Sequence, residues 1–267
     1  MEEIAANFSG RQCCGRPISG TIGRKCFQCF LIAAKLRLCR LAGKKNIIMN
    51  LNLHLHESIL LLSLDDEKGS FSMSGTYIHY GFAAALLMDL ILAERIVVED
   101  GRVKIKDRAI TDNRLLNDVL SRLKGFKKNR KVAYCIHYLV QRVRKLRPQA
   151  IEQLIRLKIL TRREEKVLWV FKVNRYPSVN TEPEDTLRER LHRVIFQDAE
   201  PTPRERMLLS IILACQLLKD LLPDKQERKA AKEKIKALTK DSEMHKLIGQ
   251  AVLEMQAAVI LAASGTT

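Results

Sequence analysis

The chain has 267 residues, with 46% hydrophobic and 29% charged side chains, a formal net charge of +17 and a pI near 9.7. That composition excludes a disordered chain and leaves ample material for a buried core. The positive surplus points to an anionic partner, whether nucleic acid, acidic membrane or acidic protein. The seven cysteines are odd in number, and five of them fall within the first 39 residues. Cys135 and Cys215 lie in apolar helical pattern, so buried free thiols in a reducing compartment are expected.

Residues 1–48 stand apart. Nine Lys or Arg face only Glu2 and Glu3 there, a net of +7. The segment reads as an N-terminal extension, either disordered or lying upstream of a start at Met49. Cys26-x-x-Cys29 is half of a zinc pattern with no second half nearby, so no metal is assigned.

From Met49 onward the pattern is mostly helical. HESILLLSL (56–64) is a short apolar helix stopped near Gly69, and 77–94 is a long apolar one. Asp100-Gly101 between two β-branched runs predicts a hairpin, because both turn positions require positive φ. Thr111-Asp112 is expected to cap a helix bearing Leu115, Leu116, Val119, Leu120 and Leu123. A helix over 132–146 should end or kink at Pro148, with a further one over 150–160. Residues 166–173 read as a strand and 174–179 as a turn, which places Tyr176 and Pro177 at a hairpin tip. Helices are expected over 186–196, 206–222, 225–239 and 244–263. The fold class is therefore mainly α, one compact helical domain over 49–267 with small β-hairpins, one of them projecting.

No catalytic motif stands out, and the reading is that the chain is not an enzyme and needs no cofactor. His54-Leu-His56-Glu57 has metal-ligand residue types but no third ligand that the sequence can place. Asp65-Asp66-Glu67 reads as a solvated helix end, and Trp169 as core. The basic stretch from Arg122 to Arg147 has ten Lys or Arg in 26 residues and no acid. Within it, Arg144 and Arg147 are three apart, so on a helix they rise from one face. Paired guanidinium forks suit the oxygens of phosphate, and Arg142 and Lys145 add charge beside them. Lys124 to Lys131 would supply longer-range attraction to an anionic surface.

The blocks NLHLHESILLLSLDDEKGSF, YGFAAALLMDLILAERIVVEDGRVKIKD, TDNRLLNDVLSRL, LKILTRREEKVLWVFKVNRYPSVN and PTPRERMLLSIILACQLLKDLLPD, taken together and in order, resemble the Golgi phosphoprotein 3 family (the GPP34-like domain). The EDGRV hairpin and the RYP turn look closer to bacterial-type members. The resemblance implies a peripheral membrane protein on the cytosolic face, at the Golgi in a eukaryotic cell. It also implies binding of phosphatidylinositol 4-phosphate and an adaptor role toward cytosolic tails of membrane proteins. The family's lipid pocket uses a tryptophan and an arginine after the first helix and two arginines on a later one. The later pair corresponds to Arg144 and Arg147; the first pair is replaced by Ser74 and Ala83, with Tyr77, His79 and Tyr80 available as substitutes. Tyr176 and Pro177 are expected to touch the membrane. The alternative function is nucleic-acid binding, because helix 150–158 followed by a β-hairpin has the helix-plus-wing pattern. Oligomeric state is not legible.

Overall fold

In the computed structural model, the chain divides between Asn50 and Leu51, and the residues described are 53–71, 75–167 and 171–240. The N-terminal extension, Ser74, Trp169 and the segment 244–263 lie outside them. Among the described residues the fold is mainly α, with two small antiparallel β elements.

Helix α1 (Leu55–Leu62) and helix α2 (Gly75–Leu92) form the centre. From Ile78 to Leu90, every residue of α2 except His79 is buried. A helix apolar on all sides cannot face water and becomes the axis on which others pack. Strands β1 (Ile96–Glu99) and β2 (Arg102–Ile105) follow, joined by Asp100 (φ 52°) and Gly101 (φ 67°), the two-residue turn expected of that dipeptide. A third strand, β3 (Arg130–Lys131), pairs with β2, with Arg102 opposite Lys131 and Val103 opposite Arg130.

Helix α3 (Arg114–Lys124) buries the leucine stripe read from the sequence. Its cap is Asn113 rather than Thr111-Asp112: the Asn113 side-chain oxygen accepts the N–H groups of Leu115 (2.9 Å) and Leu116 (3.1 Å). Thr111 instead bonds Asn117, its hydroxyl 2.9 Å from Oδ1. The expected helix over 132–146 is two helices, α4 (Val132–Val140) and α5 (Val143–Arg156), broken at Gln141 and Arg142. Helix α5 passes through Pro148, whose missing N–H removes the helical donor to the Arg144 carbonyl.

The second hairpin also departs from expectation. Strands β4 (Arg163–Val167) and β5 (Phe171–Arg175) pair from Arg163–Arg175 to Val167–Phe171. The charged segment 163–166 is thus strand, and the residues joining the two strands are 168–170. Arg175 Nε meets Glu165 at 2.7 Å and Lys172 Nζ meets Glu164 at 3.6 Å across the ribbon, which holds together a strand pair with little burial.

Helices α6 (Glu182–Phe196), α7 (Pro203–Ala214), α8 (Leu218–Leu221) and α9 (Lys225–Thr239) complete the described chain. The single helix expected over 206–222 is broken at Cys215–Leu217, where Gln216 takes φ 58°. Cys135 and Cys215 are free and buried, and burial pushes both thiols up to about 12. No described helix is long and apolar enough to cross a membrane.

Candidate anion site

The break between α4 and α5 determines where the basic residues go. Leu146 and Val143 are buried and fix the inner face of α5. Arg144 and Arg147, one turn apart, then share another face, Arg144 exposed and Arg147 half-buried. Opposite them stands His79, on the second turn of α2. Arg147 Nη1 lies 3.4 Å from His79 Nε2. The Arg147 guanidinium carbon also lies 4.2 Å from the centre of the Phe71 ring, a cation–π distance.

The electrostatics agree with this grouping. Burial, then Arg147 and Arg144, push the His79 pKa below its ordinary value. A neutral His79 can accept the Arg147 N–H at Nε2, which places its own proton on Nδ1. Burial also lowers the Arg147 pKa, with Tyr176 opposing. Among the described residues neither Arg144 nor Arg147 has a carboxylate within ion-pair distance. Two uncompensated guanidinium groups, one of them half-buried on an aromatic face, can receive a phosphate with charge-assisted, forked hydrogen bonds.

The other predicted basic residues do not converge on this point. Arg142 sits at the helix break, its guanidinium 3.6 Å over the Tyr138 ring and Nη1 donating to the Tyr138 carbonyl at 2.9 Å. Lys145 is exposed, rotated by about 100° from Arg144 around the helix and about 200° from Arg147. Ala83 lies one turn beyond His79 on the same face of α2, but it is fully buried and its methyl group brings no polar atom to the site. Of the three substitutes, His79 takes part; Tyr80 is buried and its hydroxyl lies 3.2 Å from His137 Nδ1, and Tyr77 packs against the core.

Tyr176 and Pro177 are not at a hairpin tip. They follow β5 and close onto the loop after α1. The Tyr176 N–H donates to the Gly69 carbonyl at 2.9 Å, and the Ser178 N–H to the Asp66 carbonyl at 3.0 Å. Pro177 is buried and Tyr176 half-buried, so Pro177 is directed into the protein and not outward. Gly69 permits this approach: its φ is +60°, and a Cβ there would lie 2.3 Å from the backbone nitrogens of both residues. The contact sets the position of Phe71, two residues on, and therefore of the Arg147 platform. Nothing local in the sequence marks Phe71 for this part.

The His54–His56 motif does acquire a third neighbour, Asp89 of α2. One potential ligand atom from each residue lies within 4.8 Å of the others. Asp89, however, is already occupied by protein hydrogens. Its carboxylate accepts the N–H groups of Leu55 (2.8 Å) and His56 (3.1 Å) and the His56 ring Nδ1–H (2.7 Å). Burial opposes ionisation here, yet the His54 and His56 interactions and the Leu55 N–H hold this carboxyl well below the usual range. Its role is that of a clamp: a buried anion from α2 caps the N-terminus of α1, where the helix dipole favours negative charge. The Asp65-Asp66-Glu67 turn is likewise self-satisfied at Asp65, whose Oδ1 accepts the N–H groups of Glu67 (3.1 Å) and Lys68 (2.7 Å).

The arrangement defines a mainly α domain in which a pair of outward arginines stands against the solvent end of the central helix. The family model of Golgi phosphoprotein 3 (GPP34) matches residues 55–259. The chain belongs to that family, and the match spans every helix and strand described above.

Proposed function

We propose that this is a peripheral membrane protein that binds anionic phospholipid headgroups, with the phosphomonoester of a phosphoinositide such as phosphatidylinositol 4-phosphate held by Arg144 and Arg147. The observation that carries the reading is the pair of guanidinium groups one turn apart, free of carboxylates, with His79 and Phe71 behind Arg147. Membership of the Golgi phosphoprotein 3 family supports a membrane-related role. On this reading the protein works on the cytosolic face of a membrane, the Golgi in a eukaryotic cell. It acts as a binding module and adaptor for cytosolic tails of membrane proteins, and not as an enzyme.

The test is sedimentation with phosphatidylcholine vesicles containing phosphatidylinositol 4-phosphate, set beside vesicles with phosphatidylserine alone and a DNA duplex. Wild type pellets with the phosphoinositide vesicles and releases as salt rises. The Arg144→Ala/Arg147→Ala variant stays in the supernatant while keeping its thermal midpoint. Undiminished pelleting of that variant overturns the assignment of the site, and stronger retention on DNA than on vesicles overturns the choice of partner.

A further inference from the structure

Pocket-forming surface elsewhere carries a second concentration of positive charge, and it does not involve Arg144 or Arg147. A cavity of about 330 Å³ lies where the β1–β3 sheet meets the C-terminal end of α3. Five cationic residues line it: Lys104, Arg108, Lys124, Lys128 and Arg130; none of the lining residues is acidic. The volume is at the small end of the range for ligand sites.

Two of the five cations are engaged. Lys104 pairs with Glu99 at 2.5 Å, and Lys124 Nζ donates to the Arg108 carbonyl at 2.7 Å. The other three, Arg108, Lys128 and Arg130, are exposed and have no carboxylate within ion-pair distance among the described residues. Arg130 is nevertheless held in place, its guanidinium carbon 4.9 Å from the Tyr134 ring centre. The backbone beneath is fixed as well, because Arg130 pairs with Val103 in the sheet and Phe126 packs edge-on against Tyr134 and Tyr138, at 5.7 and 4.9 Å.

Like charges gathered around one concavity repel one another, and the low-dielectric wall behind them focuses the field outward. Here sheet pairing and the Tyr134 ring hold Arg130 at the edge of a hollow that Arg108 and Lys128 also line. We propose that this cavity is a second anion site that takes a phosphate group. A phosphate monoester carries about −1.5 to −2 charge near pH 7 with three acceptor oxygens, a match for three free cations. The phosphate belongs either to a membrane headgroup or to a small soluble phosphate ester. The proposal does not depend on the assignment of Arg144 and Arg147.

The experiment uses the full chain, labelled with ¹⁵N and titrated first with inorganic phosphate. The amides of Lys104 and of Lys128 to Arg130 are expected to shift saturably. The shifts persist in Arg144→Ala/Arg147→Ala and vanish in Arg108→Ala/Lys128→Ala, whose removed side chains are exposed and bear no fold-stabilising ion pair. Vesicles of phosphatidylcholine with phosphatidylinositol 4-phosphate then identify the source. A membrane headgroup gives about tenfold or more weaker vesicle binding for the cavity variant; a soluble ester leaves vesicle binding unchanged while the phosphate shifts are lost. Absence of saturable shifts at these amides in wild type, or their survival in the cavity variant, overturns the proposal. So does protection of the same amides by a DNA duplex without any response to phosphate.

Discussion

The guanidinium of Arg147 lies 4.2 Å above the ring of Phe71, so a residue from the loop after α1 serves as the floor under a cation on α5. Cation–π contacts of this kind contribute about 0.5–2 kcal/mol. Phe71→Ala should therefore weaken binding to phosphoinositide vesicles roughly twofold to thirtyfold. Phe71→Leu keeps apolar bulk without the ring face and should lose nearly as much, whereas Phe71→Tyr should bind as wild type does. Vesicle titration of the three variants separates the ring's electrostatic contribution from simple packing.

Gly69 governs the same platform from a distance. A β-carbon there would meet two backbone nitrogens at 2.3 Å in a left-handed conformation. Gly69→Ala should cost about 2–4 kcal/mol of unfolding free energy, combining backbone strain and overpacking. Denaturant melts measure that loss. Because the shift propagates to Phe71, vesicle affinity should fall as well, even in conditions where the variant is folded.

Asp89 is the residue whose loss should damage the fold most. Asp89→Ala strands the N–H groups of Leu55 and His56 and the His56 ring, all buried, and should cost about 3 kcal/mol or more. Asp89→Asn retains an acceptor oxygen for the helix N-terminus and should cost less. If chemical denaturation ranks the two equally, the capping account of Asp89 is wrong.

Stability should also respond to pH through Glu184, which is buried on the first turn of α6 with Arg188 Nη2 at 2.6 Å. Burial pushes its carboxyl up to about 7; Arg188 pulls it down and Asp66 pushes it further up. A carboxyl with a raised folded pKa binds its proton more tightly in the native state. Its contribution is thus fully present below the unfolded value of 4.5 and is lost as pH rises toward 7. The loss is on the order of 3 kcal/mol. Glu184→Gln should flatten the stability profile between those limits, as read by urea midpoints at a series of pH values.

The elements legible in the sequence were those with a local physical signature. Asp100-Gly101 announces a turn that only such residues enter cheaply, and the stripe from Leu115 to Leu123 announces a buried helix face. The break at Gln141–Arg142 carries no glycine or proline, while Pro148 suggests an interruption that α5 absorbs. Strand β4 was hidden because Arg163 to Lys166 are exposed on both faces and so show no alternation of apolar and polar residues. At the candidate anion site the spacing of Arg144 and Arg147 could be read directly. Phe71 could not, since it reaches Arg147 only through the closure of Gly69 on Tyr176 and Pro177. Asp89, an acid in the middle of an apolar run, signalled something, but its partners at Leu55 and His56 lie more than 30 residues away.

Helix α2 carries both Asp89 near its end and His79 near its start, with buried residues between them. Amides in the buried middle of such an axis are expected to be among the slowest in the domain to exchange with solvent. The wall that His79 presents to Arg147 is thus anchored on that buried core. On the proposed reading, a headgroup would meet this side of the site largely preformed, and little ordering entropy would be spent there.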